Sequence, residues 1–319
     1  MISTYTHVPV MADRIFELLE PALRSEGSLL VDATVGLGGH AELFLSSIPG
    51  LQLLGIDQDP EAFEHSQKRL QAYGERVRLV RDRFDNLDEI LEQNDLKKRP
   101  DAILFDLGVS SLQIDKPERG FSYLRDAFLD MRMSPDIEIS AAQILASYSE
   151  RDLALLFQRF GDERLGRRYA KAIIQRRLES PIERTSDLVE ILQLATPFSK
   201  RGRGHPSKRV FQALRIAVNQ ELKALSNALP VAITKLAIGG RIAVMAYHSG
   251  EDRIVKNEFR RVCLSTAPLD LPSELPEHAP QFSDVTRGAE KAKAEEIAKN
   301  RRSASVRLRA IKRLREAKL

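Results

Sequence analysis

The stretch Ser28-Leu29-Leu30-Val31-Asp32-Ala33-Thr34-Val35-Gly36-Leu37-Gly38-Gly39-His40 decides the fold. Its first half is an apolar run closed by an acid, the pattern of a strand buried on both faces of a parallel sheet. Three glycines follow, and a short helix is expected over His40–Ser47. Glycine lets the chain turn sharply and approach a ligand, and a helix N-terminus offers free N–H groups. A tight turn with no ligand reads the same way, so the surrounding chain has to discriminate.

Working outward, Leu51–Ile56, Val77–Val80 and Ala102–Phe105 read as further strands, with helices over Ala62–Ala72 and around Leu87–Leu91. Such alternation implies right-handed βαβ units and a doubly wound, Rossmann-like sheet. The pattern breaks after Leu107. Helices are expected at Ala141–Tyr148, Glu150–Arg159, Glu163–Arg177 and Ser186–Leu194, and strand character returns only at Gly240–Ala246. The expected organisation is an α/β domain interrupted by an all-helical insertion. Residues 1–114 form its first part, 115–205 the insertion and 206–319 its second part, including a Pro-rich loop at 267–285.

Ser207–Leu229 reads as one long helix ended by Pro230, with Phe211, Leu214, Val218, Leu222, Leu225 and Leu229 on one stripe. Gln212, Arg215 and Asn219 fall on another face. Near the end, Val306, Leu308 and Ala310 alternate with Arg307 and Arg309, which is strand period. A late strand at the sheet edge is expected there, with both arginines turned away from the apolar side and free to meet a polyanion.

Composition narrows the class. Among 319 residues, 43% are hydrophobic and 29% charged, as in globular rather than disordered chains. The single cysteine, Cys263, closes no intramolecular disulfide, and no Cys/His cluster has metal-ligand spacing. No apolar run reaches the roughly 20 residues of a bilayer span, and no signal-peptide layout is visible, so a cytoplasmic protein without metal or membrane contact is expected. Net charge is +4, yet residues 287–319 hold 12 Lys/Arg against 4 Asp/Glu. A basic segment on a mildly acidic body points to a polyanionic partner or to a solvated tail.

Asp57 closes the second strand about 20 residues after the glycines, where a carboxylate can accept both ribose hydroxyls of an adenosine cofactor. Dinucleotides and S-adenosylmethionine share this geometry. A dehydrogenase would need a second catalytic domain, whereas S-adenosylmethionine needs only a polar loop for its methionine end. Its adenine would lie past the third strand, near Phe84, a residue that reads equally as core.

The fourth strand carries more specific residues. Asp106-Leu107-Gly108-Val109-Ser110-Ser111-x-Gln113-x-Asp115 is followed by Arg119-Gly120-Phe121-Ser122 and Leu129-Asp130-Met131-Arg132-Met133. With His7-Val8-Pro9-Val10, Phe211–Leu222 and His248-Ser249-x-Glu251-Asp252-Arg253, these closely resemble the ribosomal RNA small subunit methyltransferase H family, also called MraW. The resemblance runs from residue 7 to about 260. It implies a class I S-adenosylmethionine-dependent methyltransferase fold with a helical insertion, and methylation of the N4 amine of one cytidine in 16S rRNA. It also implies cofactor contacts at Gly38, Gly39, His40, Asp57, Phe84, Asp106 and Gln113. Two departures stand out: Gly250 where the family usually has Leu, and Asn300-Arg301-Arg302-Ser303 where it tends to have Asn-Pro-Arg-Ser.

The cytosine N4 amine is a poor nucleophile, so an enzyme must align it with the methyl and hold one amine hydrogen on an acceptor. Other amino-methyltransferases place Asp/Asn-Pro-Pro-aromatic at this strand end; here Asp106-Leu107-Gly108-Val109 stands instead. Asp106 is the candidate acceptor, or else it only holds the cofactor. Arg132, Arg215, Asn219 and His248 are candidate substrate contacts; their alternative is structural pairing. Lys200–Arg209 holds five Lys/Arg and no acid, suited to phosphate contact or to solvation. The expected partner is 16S rRNA within the small ribosomal subunit, and the sequence leaves the oligomeric state open, a homodimer included. Two other readings stay open: a ribosome-assembly RNA binder with a vestigial pocket, and a dinucleotide oxidoreductase.

Overall fold

The computed structural model describes residues 9–94, 98–200, 204–268 and 278–316. Expectations for His7, Val8, Arg201–Arg203, residues 269–277 of the Pro-rich loop and residues 317–319 fall outside these. The chain divides into two compact units, Met1–Gly108 with Leu222–Leu319, and Val109–Glu221.

The first unit is built on seven strands: β1 (Leu29–Asp32), β2 (Gln52–Ile56), β3 (Val77–Val80), β4 (Ala102–Asp106), β5 (Arg241–Ala246), β6 (Phe282–Asp284) and β7 (Arg307–Arg313). Their order is β3-β2-β1-β4-β5-β7-β6. The first five are parallel, and β7 runs antiparallel to both β5 and β6. Helices α1 (Ala12–Leu19), α2 (Gly39–Ser47), α3 (Pro60–Leu70) and α4 (Leu87–Gln93) lie along the first half of this unit. Alternate strand residues feed two apolar layers. Val31, Ile56, Phe105 and Val244 enter one with α4 residues Leu87 and Ile90. Leu30, Leu53, Leu104 and Met245 enter the other with Ile15 of α1 and Phe44 of α2. Strand order reverses between β1 and β4, and in such sheets ligands bind beyond the carboxyl ends of the strands at that switch point.

The second unit holds α5 (Ser111–Asp115), α6 (Ala141–Ser147), α7 (Glu150–Gly161), α8 (Gly166–Glu179), α9 (Thr185–Ala195) and α10 (Ser207–Asn219). Ser140 and Ser149 accept hydrogen bonds from the backbone N–H groups of Gln143 and Asp152, starting α6 and α7 as N-caps do. Leu145, Leu153, Phe157, Ile173, Leu188 and Leu214 form the core of this unit.

Three expectations change. The long helix is two: Gln220 takes a left-handed conformation (φ 51°) and separates α10 from α11 (Glu221–Lys235). Phe211, Leu214 and Val218 therefore serve the helical core, while Leu225 and Leu229 serve the sheet. The units accordingly meet in sequence at 108/109 and 221/222 rather than at 115 and 205. Pro230 does not end α11. Burial of Ala232 and Ile233 carries the helix past it, because tertiary packing outweighs the lost hydrogen bond.

The late strand is present as β7, but it is interior, covered by the three-residue β6 that period reading missed. Its Arg307 and Arg309 are not free for a polyanion. Each donates to buried Asp252 at 2.8 Å, tying β7 to α12 (Ser249–Cys263) and pulling the Asp252 carboxyl below its usual range despite burial. The last helix, α13 (Ala294–Lys299), precedes it. Among the described residues, no helix is long and apolar enough to cross a membrane.

Candidate functional site

The carboxyl ends of β1, β2, β4 and β5 carry the chemistry. After β1 the chain turns through Gly36 (φ 52°) and Gly38 (φ 76°) into α2. Gly38 holds the left-handed position that starts the helix, and a Cβ on Gly39 would stand 2.7 Å from Pro9. Backbone bonds fix the loop, Val35 donating to Ile56 and Gly38 to Val35.

Three carboxylates converge here. Asp57 Oδ2 accepts from Gly36 N–H and its Oδ1 from Asp59 N–H, both at 2.9 Å, so it braces the glycine loop from β2. Asp32, 2% exposed, accepts from Thr34 N–H. Asp106 donates its N–H to Thr34 Oγ1 at 2.6 Å, and its Oδ1 accepts the Tyr247 hydroxyl at 2.7 Å. The buried His40 Nε2 lies 3.7 Å from Asp106 Oδ2. No lysine or arginine pairs with any of the three among the described residues.

Burial therefore dominates their titration. Desolvation pushes Asp32 and Asp106 up to about 7 and Asp57 up to about 6. Neighbouring negative charge adds to it, from Asp106 and Asp57 on Asp32 and from Glu251 on Asp106. Burial and the Asp106 charge hold the Tyr247 phenol protonated, as a donor.

At β5, His248 caps α12. Its Nδ1 accepts from the N–H groups of Gly250 and Glu251, and Glu251 Oε2 accepts in return from the N–H groups of Tyr247 and His248. The imidazole, 7% exposed, places Nε2 3.2 Å from Glu251 Oε1. A side chain on Gly250 would meet the His248 ring at 3.1 Å and Leu222 at 3.2 Å, so glycine here gives that ring room. Phe84 opens the turn after β3, with its ring edge-on to Phe105 at 5.8 Å and partly buried against the core.

The structure thus gathers Gly38, Gly39, His40, Asp57 and Asp106 at adjoining strand ends, with Phe84 following β3. The remaining candidates belong to the helical unit. Gln113 is buried and forms a reciprocal cap with Ser110 at the start of α5. Arg132 pairs with Asp130 at 2.7 Å and donates to the Ile137 carbonyl. Arg215 makes a two-pronged pair with Glu221, both bonds 2.9 Å. Asn219, 1% exposed, donates to the carbonyls of Met131 and Arg215 and accepts from Met133 N–H. It clamps a turn in which Met131, fully buried, is held at φ 64°, a conformation unfavourable for any residue with a Cβ.

Sequence reading missed Asp32, Tyr247 and Glu251. Asp32 had a signal: an acid ending an apolar strand just before the glycines. Glu251 stood in the quoted motif His248-Ser249-x-Glu251-Asp252-Arg253 without a role, and Tyr247 gave no signal, because only the register of β4 on β5, which pairs Asp106 with Met245, brings them beside Asp106.

Residues 4–314 match the model of the MraW methylase family. The chain is 52% identical over 309 residues to the ribosomal RNA small subunit methyltransferase H of Clavibacter michiganensis, covering 97% of each chain. It is likewise 52% identical to the protein of that name from Mycobacterium marinum, covering 97% of this chain and 80% of the relative. Among solved structures, an rRNA methylase from Streptococcus thermophilus superposes with a TM-score of 0.42 at 12% identity, covering 95% of this chain and 94% of its own.

Proposed function

Because the chain belongs to the MraW methylase family, we propose that it transfers a methyl group from S-adenosylmethionine to the N4 amine of a cytidine in the 16S rRNA of the small ribosomal subunit. The observation that carries this reading is the set of three carboxylates, paired with no lysine or arginine among the described residues, gathered around the glycine loop at the switch point of the sheet. S-adenosylmethionine supplies an electrophilic methyl on a positively charged sulfur. A partly buried cluster of acids suits that charge and the ammonium of the methionine end.

The residues then take distinct tasks. Gly38, Gly39 and His40 present backbone and helix N-terminus to the polar end of the cofactor. Asp57 uses one lone pair of each oxygen on the loop, which leaves the others for ribose hydroxyls. Phe84 offers an apolar face to the adenine. Tyr247 occupies Asp106 Oδ1, so Asp106 Oδ2 is the atom that accepts an amine hydrogen as the lone pair turns toward the methyl. In the helical unit, Arg132, Arg215 and Asn219 act on the nucleotide through the turn and helix end they hold; in the sheet unit, His248 acts through the start of α12.

Transfer of labelled methyl to 16S rRNA or to assembled small subunits, followed by mapping of the modified nucleotide, tests the proposal. Label on N4 of one cytidine is expected. Calorimetric binding of the donor with no transfer to either substrate would favour the RNA-binding reading instead, and light scattering of the purified chain decides between monomer and homodimer.

A further inference from the structure

We propose that Tyr247 is a positioning residue of the transfer reaction: its phenol grips one oxygen of Asp106, leaves the other as the single proton-accepting atom and favours the charged form of that carboxylate. The inference rests on the reading of Asp106 as the acceptor of the amine proton.

The main chain around Asp106 is already fixed. Its N–H donates to Thr34 Oγ1 at 2.6 Å, and the N–H of Leu107 donates to the Met245 carbonyl at 3.1 Å. What these bonds leave open is rotation of the carboxyl about its side-chain torsions. The Tyr247 hydroxyl closes it by donating to Oδ1 at 2.7 Å. Oδ2 then lies 3.7 Å from His40 Nε2, beyond hydrogen-bond distance. Without that grip the carboxyl can turn and pair with the imidazole, which would occupy the oxygen the amine needs.

Tyr247 is itself braced. Its N–H donates to Glu251 Oε2 at 2.7 Å, and its ring packs against the apolar layer that holds Leu104, Met245 and Leu308. Gly108, at φ 100°, passes beside the ring, where an added Cβ would stand 3.4 Å from Cδ2. A phenylalanine ring would pack in the same way, so packing gives no reason for the hydroxyl. Nor can the phenol serve as the base. Burial and the carboxylates of Asp106, Glu251 and Glu296 oppose its ionisation, so it stays a donor.

The acceptor needs that donor because its other neighbours oppose its charge. Burial pushes the Asp106 carboxyl up to about 7, the Tyr247 bond works against that rise, and Glu251 adds to it. Asp32 on β1 is a further like charge, and His40 on α2 is the remaining titratable neighbour. As the amine nitrogen bonds the methyl carbon and the pair of the broken C–S bond stays on sulfur, one amine proton passes to Oδ2. Only an ionised carboxylate can take it.

The test is Y247F, read in two ways. One is single-turnover methylation of 16S rRNA at saturating donor between about pH 6 and 9. The other needs no donor: carbon NMR titration of labelled aspartate carboxyls, with the Asp106 signal identified by its loss in D106N. The acidic limb of the rate profile and the NMR midpoint should both move up by about one pH unit. The rate should therefore fall about tenfold at pH 7, with the deficit shrinking as pH rises, and Tm should stay near wild type because the ring is kept. An unchanged midpoint and profile would overturn the proposal, and so would an equal loss of rate at every pH, which would mark packing alone. If Y247F melts early, the wild-type protein answers: the Cζ signal of Tyr247 should follow the Asp106 transition and lose it in D106N, and a Cζ signal blind to that transition would also overturn the proposal. Failure of the wild-type protein to methylate 16S rRNA would count against the proposed function, whereas the NMR midpoint reads the grip of Tyr247 on Asp106 by itself.

Discussion

The two units handle charge in opposite ways. In the sheet unit, Asp32, Asp57 and Asp106 pair with no lysine or arginine among the described residues, so the fold tolerates acids whose ionisation burial opposes. In the helical unit, the polar groups that looked most like substrate contacts are committed to their own backbone and acids. The contrast separates two kinds of polar residue. An uncompensated buried group marks a place where the protein waits for a ligand, and a saturated one marks a place where it holds itself together. Substitutions should then affect chemistry in the first case and stability in the second.

The largest expected effect falls on the sheet side. Asp106→Asn keeps the shape and the Tyr247 contact but removes the ionisable acceptor, and single-turnover methylation should drop by about 10²–10⁴-fold, with Tm unchanged or higher. Near wild-type turnover would break the assignment of Asp106 as acceptor. The comparison has an internal exception, because Asp252 lies in the sheet unit yet is saturated. Replacing Arg307 and Arg309 with Gln leaves that buried carboxylate alone and should cost about 3–5 kcal/mol in denaturant unfolding; unchanged stability would mean the ion pairs contribute nothing.

On the helical side, Asn219→Ala strips partners from Met131 O and Met133 N–H around a strained turn. It should cost about 2–3 kcal/mol of stability while leaving donor affinity intact, and a stable variant with weakened RNA binding would reverse the reading of Asn219. The smallest effect is pH dependence. The raised carboxyls favour the protonated folded state, so without donor, stability is greatest below about pH 4 as far as these groups are concerned, and falls as pH rises toward about 7. A cationic donor favours the ionised form. Its affinity should therefore rise with pH from about 5.5 to 7.5, by up to about tenfold per unit for each carboxyl that ionises on binding, and more steeply than that of S-adenosylhomocysteine, which lacks the sulfonium charge. Parallel profiles for the two ligands would remove the electrostatic argument.

What was legible in the sequence follows the same division. Leu29–Asp32 and the glycine loop were readable because a buried parallel strand and a turn needing positive φ each impose residue types locally. The site residues on the loop and at strand ends came with them. Asn219 stayed open between substrate contact and structural pairing, because its partner turn lies far away in sequence and period analysis assigns only a face. The break at Gln220 left no trace, since glutamine is an ordinary helix residue and only the division of apolar side chains between two cores requires the bend. Arg307 and Arg309 looked free because Asp252, their partner, is brought near by pairing of β5 with β7.

The direct pairing of β4 with β5, with residues 107–240 between them, has a kinetic consequence. Joining these strands closes a long loop, which for a flexible chain of that length costs about 4 kcal/mol of entropy. The contacts of α7 with α8 and of α8 with α9, by contrast, join segments adjacent in sequence and form early on topological grounds. A helical unit that condenses first shortens the flexible path between the two strands, so the insertion acts as a folding aid for the sheet it interrupts. Pulse-labelled hydrogen exchange during refolding should show amides of α7 and α8 protected before those of β5, and simultaneous protection would show that the sheet closes without that help.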